Sequence, residues 1–384
     1  MDFIDLFAGL GGFHVALENL GHRCVFASEL NESLRDLYLS NFGVAPVGDI
    51  RSVDPSDVPD HDILCAGFPC QPFSKSGKRL GFACPTNGTL FFQILHIIEE
   101  KRPEFVILEN VPFLLEHEDG LTWKMMHRLL ERAGGGYSVA PSMVLSPHQF
   151  GIPQHRKRCY IVAKRGTLSL KRFSEPALSE APTDIGSILE DSPDSPRLLS
   201  PDRVECLETW SDFVQKIPSD EGFSSRIWSD EFGKTHSLDG IPDWKRAIAS
   251  RSRLFYEQHE ELLSDWLPSI RKFPNTSWRM LEWNASKDPE ERNIWKHLIQ
   301  FRPSGVRVRK RAMAPTLVTF LTQTPIIGWE RRYLTGKECA KLQGLDVLDH
   351  FPDSYSKTMG ALGNAVNVRV IEEVSKSLLE TRDE

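Results

Sequence analysis

No stretch of this sequence is long and apolar enough to cross a bilayer, which takes about 20 consecutive apolar residues, so no membrane role is expected. The N-terminus carries Asp2 and Asp5 and no lysine or arginine before Arg23, which does not fit a secretory leader. Zinc-type CxxC spacing is also missing. The seven cysteines (24, 65, 70, 84, 159, 206 and 339) are scattered, several in apolar runs, so no metal is expected and the thiols read as reduced, in a cytoplasmic protein. Nor is there a basic excess. A net charge of -7 argues against a uniformly positive field, although a nucleic-acid footprint is local and an acidic average can hide a basic face.

What is present is ordinary for a globular protein, with 40% apolar and 26% charged residues. A chain of 384 residues suggests two domains, or one large domain with an insertion. It is organised around residues 62–74, DILCAGFPCQPFS. Asp62–Ala66 is a short apolar run opened by an acid, the pattern of a buried parallel strand. Gly67, Phe68 and Pro69 break it and leave Cys70 on a loop past the strand's carboxyl end, where open α/β sheets bind ligands. Pro69 and Pro72 stiffen the backbone on either side, so the thiol is presented. The plain alternative for a free cysteine is a small buried hydrophobe.

Asp2–Ala8 reads as a first strand. Gly9, Leu10, Gly11 and Gly12 follow, then a helix with Phe13, Ala16, Leu17 and Leu20 at helical spacing, stopped at Gly21. Strand, glycine turn and helix is the nucleotide-binding arrangement, because the turn admits a ligand to the backbone and helix-start N–H groups face it. A second strand, CVFASEL, ends in Glu29, where a carboxylate takes ribose hydroxyls. Asp49 stands at the expected end of a third strand and suits an adenine amino group. Each acid alone fits a solvated strand end; with the glycine turn they point to an adenosine-containing ligand.

Residues 75–89, KSGKRLGFACPTNGT, read as a surface loop or as a mobile lid whose Lys78 and Arg79 reach phosphate. Leu90–Ile98 is a buried helix. PEFVILENV is a strand ending in Glu109 and Asn110, which puts a carboxylate at the sheet edge that carries Cys70. Leu121–Ala133 is a helix closed by glycines. Arg156 and Arg158, two apart just before or within a strand, are expected to face one way, towards the pocket edge.

From about Gly166 the character changes, with a linker-like stretch to 201 and helices expected over 204–217, 254–267 and 290–301. FRPSGVRVRKR, 301–311, carries five basic residues and no acid. It is a solvated edge strand or, beside a catalytic cleft, a phosphate-tracking strip. A short strand, APTLVT, follows. Thr335–Glu338 is a capping box opening a helix that Gly344 ends, and Gly363–Leu379 closes the chain as one long amphipathic helix.

In this order the segments resemble the DNA cytosine-5 methyltransferase family of bacterial and phage restriction–modification systems, over nearly the whole chain. The matches are DLFAGLGG for the S-adenosylmethionine turn, GFPCQPFS for the nucleophile loop, ENV for the glutamate strand and QHRKR for the arginine strand, with RYLTGKECAKLQG and GNAV near the C-terminus. The resemblance implies an α/β, Rossmann-like S-adenosylmethionine-dependent methyltransferase fold with a mostly parallel sheet. Residues 1–165 would form the catalytic domain, 166–350 a smaller inserted target-recognition domain, and 351–384 a segment returning to the catalytic domain. The chain departs from many relatives at Leu30, where they place an aromatic against the adenine, and in a recognition region that reads as unusually helical.

The implied reaction moves a methyl group from S-adenosylmethionine, leaving S-adenosylhomocysteine, to C5 of a cytosine in a specific duplex DNA site. The chemistry agrees. C5 is a poor nucleophile, and a thiolate added at C6 turns the ring into an enamine that attacks a methyl sulfonium. Cys70 would be that thiolate, in a site made electropositive by its neighbours. Glu109 would hold the N3 and 4-amino edge with a raised pKa, Arg158 would bind O2, and Arg156 would orient Glu109 or a phosphate. A base stacked in a duplex cannot be reached, so it must be flipped out. The methyl donor would lie over Phe7, Gly9, Leu10, Gly11 and Gly12, with Glu29 on its ribose and Asp49 on its adenine. Leu30, Ile50, Pro69, Leu90, Asn364 and Val366 would complete the pocket. DNA contacts would come from Gln71, Ser74, Ser76, Lys78 and Arg79, and from Arg307, Arg309, Arg311 and Thr316. The expected partner is double-stranded DNA, bound by a monomer in the cytoplasm of a prokaryote or phage-infected cell, with any cognate restriction endonuclease acting separately.

The nearest rival keeps the fold and changes the substrate to a tRNA cytosine. From other classes, a catalytically dead binding module would not keep Cys70, Glu109, Arg156 and Arg158 together. A nicotinamide oxidoreductase would want the third glycine of GxGxxG and leaves Cys70 idle.

Overall fold

The computed structural model describes residues 1–69, 90–166, 170, 173–179, 183–218 and 225–382. Cys70, Gln71, Ser74, Ser76, Lys78 and Arg79 lie outside the described residues. The chain forms two compact units, Met1–Thr183 with Gly336–Glu384, and Asp184–Thr335.

The first unit opens with strand β1 (Asp2–Leu6), helix α1 (Gly12–Asn19), β2 (Arg23–Ser28), α2 (Glu32–Phe42) and β3 (Ile63–Gly67). It continues with α3 (Leu90–Lys101), β4 (Phe105–Asn110), α4 (Leu121–Arg132), β5 (Tyr137–Val139), β6 (Met143–Leu145), β7 (Gln154–His155) and β8 (Arg158–Arg165). Seven of these strands make one sheet in the order β2-β1-β3-β4-β8-β5, with β6 also on β8. The four leading strands are parallel, and β8 joins β4 antiparallel. Ile63–Ala66 and Phe105–Leu108 are wholly buried, as expected of uninterrupted apolar strands covered on both faces. The order reverses between β1 and β3. The carboxyl ends of β1, β3 and β4 therefore share the edge at which a doubly wound sheet opens a crevice.

The expected third strand ending at Asp49 does not form. Val47 makes a single parallel bridge to Ser28, and Asp49 caps a short 3-10 turn, Ile50–Ser52. Val47 donates to the Ala27 carbonyl and accepts from the Glu29 N–H, and the pairing goes no further.

The second unit contains α5 (Pro201–Lys216), β9 (Arg226–Trp228), α6 (Asp243–Gln258), α7 (Glu260–Leu263) and α8 (Leu267–Arg271). It then has β10 (Met280–Asn284), β11 (Leu298–Arg302), β12 (Gly305–Arg309), β13 (Ala314–Pro315), β14 (Ile326–Ile327) and β15 (Arg332–Tyr333). Six strands form a second sheet, β15-β14-β11-β12-β10-β9. The region is thus not chiefly helical. Its helices pack through buried aromatics, with the rings of Trp210 and Phe213 5.3 Å apart and those of Phe213 and Trp266 4.8 Å apart. The helix expected over 290–301 is replaced by two 3-10 turns and β11. The Asn293 side chain accepts from the Trp295 N–H and starts the second turn, and Leu298–Arg302 then pairs with β12. This β12, which carries the basic run, is an interior strand and not an edge.

Three helices return the chain to the first unit: α9 (Gly336–Gln343), α10 (Tyr355–Asn364) and α11 (Val368–Leu379). The long terminal helix read from 363 onward is interrupted. Asn367 accepts from the Val370 N–H at 3.1 Å and caps α11 afresh, leaving Ala365 and Val366 as a linking turn.

Beneath the glycine turn lies a buried polar cluster. The Tyr38 hydroxyl donates to Asp5 at 3.3 Å and lies 2.7 Å from His14 Nδ1. Burial pushes the Asp5 carboxyl up to about 8 and the His14 imidazole down to about 4. Folded Asp5 thus keeps a proton that the unfolded carboxyl, at 3.8, has lost, so its contribution to stability falls as pH rises through 8. The His14 term destabilises only below its ordinary 6.5. Above that pH Asp5 acts alone. We expect the thermal midpoint to drop by roughly a few degrees between pH 6.5 and 8.5 in scanning calorimetry, and Asp5→Asn to flatten that drop. Equal slopes would show that Asp5 does not titrate there.

Candidate active site

The turn after β1 carries positive φ at Phe7 (61°) and Gly9 (56°). The Gly9 N–H donates to Glu29 Oε2 at 2.9 Å, and Glu29 Oε1 accepts from the Asn31 N–H at 2.8 Å. A side-chain carbon at Gly9 would meet nothing within 4 Å, so its backbone faces open space. At Gly12 the reverse holds: a Cβ would lie 2.5 Å from the Val366 carbonyl oxygen. Only glycine lets the turn after α10 seat there, and the Val366 side chain also lies over Gly67. Leu10, Gly11, Ile50 and Leu90 are buried, Phe7, Pro69 and Val366 half-buried, Asn364 exposed, and Leu30 is 68% exposed. The Asp49 carboxylate is held by the Arg51 guanidinium, whose hydrogen bonds keep its pKa below the ordinary value. An open glycine backbone beside a fixed carboxylate and a bare apolar side chain fits an adenosyl group.

The acid of β4 sits one strand over. Gly67, where β3 ends, is the register partner of Glu109. Glu109 is buried, and Arg158 Nε approaches its Oε1 at 3.0 Å. Burial raises the Glu109 pKa above its ordinary value, against the opposing pull of Arg158 and Arg156. Asn110 Nδ2 donates to the Phe68 carbonyl at 3.2 Å, fixing the backbone two residues before Cys70.

The two arginines do not share a task. Arg158 meets Glu109, whereas Arg156, 2% exposed, sends Nη2 to the carbonyls of Gly363 (3.0 Å) and Ala365 (2.9 Å). The reason is local: Arg156 precedes β8, and its own N–H is held by Ser146 Oγ at 2.9 Å. Sequence reasoning gave no role to Asn110 or Ser146. For Asn110 the signal was available, in the polar residue that directly follows the acid.

Five cysteines are described, and burial pushes every thiol up: Cys24 and Cys159 to about 12, and Cys65, Cys206 and Cys339 in the same direction. Among the described residues no group of three His, Cys, Asp or Glu could hold a metal ion, and no helix is long and apolar enough to cross a membrane.

In the second unit the basic run divides. Arg307 Nη2 lies 2.7 Å from Glu282, which also draws Arg302 (3.5 Å) and Arg226 (3.9 Å). Arg309 is on the same face of β12 as Arg307, two residues along. Arg311 lies over the Trp329 ring, 4.3 Å from its centroid, and Thr316 is half-buried after β13. A run that looks uniformly basic therefore carries its own buried counter-charge, supplied by β10.

The chain belongs to the C-5 cytosine-specific DNA methylase family, whose sequence model matches residues 1–380. It is 48% identical over 188 residues to Type II methyltransferase M.MspI of Moraxella sp, a match covering 49% of this chain and 44% of that one. It is 40% identical over 216 residues to Type II methyltransferase M.HhaI of Haemophilus parahaemolyticus, covering 56% and 64%. The chain thus spans between 44% and 64% of the length of these relatives. In fold it is similar to the S. pombe Dnmt2 methyltransferase, with a TM-score of 0.55 at 20% identity and 100% of each chain covered. The family implies use of a methyl donor.

Arg156 is expected to be structural glue for the turn that covers Gly12. Arg156→Met should leave two buried carbonyls without their donor and cost about 2–4 kcal/mol in urea denaturation. A loss below about 0.5 kcal/mol would show that the turn holds without it.

Proposed function

We propose that the protein is a DNA cytosine-5 methyltransferase of the restriction–modification type, using S-adenosylmethionine on a flipped-out cytosine of a specific duplex site. The observation that carries this is a buried carboxyl, Glu109, paired with Arg158 at the sheet edge where β3 ends, three residues before Cys70. The glycine turn opens at the same edge. The Type II methyltransferase relatives support DNA over tRNA as the substrate. The reading takes the protein as a monomer whose cognate endonuclease, where one exists, acts separately.

In this reading Cys70 is the nucleophile. The five described thiols are all held protonated, which disfavours them for the task. The Cys70 thiolate bonds to C6, and the electron pair of the C5–C6 double bond moves towards N3 and C5. Glu109, which its surroundings keep protonated above the ordinary range, gives N3 a proton as that charge grows. Arg158 orients Glu109 and meets the O2 edge. S-adenosylmethionine, when bound, supplies the methyl group as an electrophile. Glu29, Leu30, Ile50 and the open face of Gly9 would hold its adenosyl part, together with Asp49 once released from Arg51. With C5 methylated, its hydrogen leaves as a proton and Cys70 is expelled, restoring the aromatic ring. Arg156 touches no reacting atom here. It is a positioning residue, acting through Gly363, Ala365 and Val366. Arg307, Arg309 and Arg311 would meet DNA from the second unit.

The test blocks the last step. Duplex DNA with 5-fluorocytosine at the target position cannot lose a proton from C5. With S-adenosylmethionine present, the protein should stay bonded to the DNA through denaturing electrophoresis. Cys70→Ser should give no such adduct, and Cys65→Ser should still give it. An adduct that persists in Cys70→Ser would transfer the role to another thiol. The absence of any adduct with the unaltered protein, on DNA that it methylates, would remove the covalent route.

A further inference from the structure

The second unit contains a cavity of about 480 Å³ that none of the foregoing uses. Its walls include Trp295, Trp329, His297, Lys296, Lys310 and Arg311. The size is within the range of pockets for small organic groups. Two indole rings line it, each already stacked by a guanidinium: Arg311 over Trp329 and Arg331 over Trp295, both 4.3 Å from the ring centroid. Three cations against one acid, Glu291, give the lining a positive balance in a chain whose net charge is -7. Glu291 is in turn 3.4 Å from Lys296, so Lys310 and Arg311 are the cations left to meet a ligand.

His297 is fixed within that lining. It is 3% exposed, and its Nε2 lies 2.8 Å from the Glu291 carbonyl oxygen, so Nε2 carries the proton and Nδ1 is the acceptor. Among the described residues this Nδ1 has no hydrogen-bond partner. That atom is itself buried, out of reach of an occupant, so His297 shapes the wall while the rings and the cations select the ligand. An occupant that is planar for the indoles and anionic for Lys310 and Arg311 fits a nucleotide. Its base must be out of a stack, because bases within a duplex have no free face.

We infer that this pocket binds one unstacked nucleotide of the bound DNA, its base against Trp295 and Trp329 and its phosphate on Lys310 and Arg311. This rests on the reading of the protein as a DNA-modifying enzyme. A peptide is disfavoured by the same charges, since an aromatic cage for a cationic side chain would not be rimmed by lysine and arginine.

The experiment uses the full chain and oligonucleotides carrying 5-iodo-2′-deoxyuridine, single-stranded and duplex, irradiated and mapped by peptide mass spectrometry. Adducts are expected on Trp295 or Trp329. Trp329→Leu should abolish its adduct and weaken binding of the single strand roughly tenfold, while Trp329→Phe should keep most of that affinity. Should Trp329→Leu fail to fold by circular dichroism, Lys310→Ala, at an exposed position of the lining, provides the same comparison without altering either indole. Adducts confined to other residues, or undiminished in these variants, would overturn the inference. Bisulfite sequencing of duplex DNA treated with the unaltered protein separates the two failures. Methylation without pocket adducts refutes the pocket alone, and pocket adducts without methylation refute the enzymatic reading.

Discussion

A carboxyl group buried at the end of an interior strand sets the terms for the first unit. Glu109 on β4 gives up its hydration, a cost a fold tolerates only where the group is paired or stays protonated. Here Arg158 lies 3.0 Å away and burial favours the protonated form, so both outlets are in use. The neighbours follow from that position. Gly67 stands opposite in the register, and a Cβ there would come 4.0 Å from Glu109 Oε2 and 3.0 Å from Val366. Asn110, next along, ties down Phe68, so the acid and the backbone after β3 are held by consecutive residues.

The same edge is closed by a segment far away in sequence. Val366 reaches Gly12 and Gly67 where Arg156 grips the Gly363 and Ala365 carbonyls just before it, over sequence separations of 207 and 209 residues. Most of that separation is the second unit, Asp184–Thr335. An insertion of this size adds little loop-closure entropy for its length, provided the returning ends are fixed by specific contacts. A buried guanidinium with two carbonyl acceptors is such a contact. Its fork geometry suits two acceptors at once, which a lysine would not provide.

Much of this was legible in the sequence, for definite reasons. The glycine turn, the β3 and β4 runs and the acid at 109 depend on local pattern: continuous apolar strands, glycines at a turn, polar residues at strand ends. Where the reading failed, the deciding contact was non-local or a single capping residue. The stretch before Asp49 reads as a strand, but the lone Val47 bridge is all that forms. Residues 290–301 show helical spacing, yet β12 takes Leu298–Arg302 into a sheet. The terminal helix is broken by one asparagine cap at 367. The spacing of Arg156 and Arg158 predicts a facing pair, but the chain between β7 and β8 is not strand, so alternation does not apply. The basic run on β12 hides its counter-charge because Glu282 lies on a different strand.

The central claim is that Glu109 is an acid whose surroundings hold its proton above the ordinary glutamate range. Protein labelled with carbon-13 at the glutamate side-chain carboxyls allows this one group to be titrated by NMR, with Glu109→Gln identifying its signal. The account predicts a midpoint above the ordinary 4.5. A midpoint at or below that value would mean that Arg158 and Arg156 outweigh burial, leaving Glu109 an anion with no proton to give.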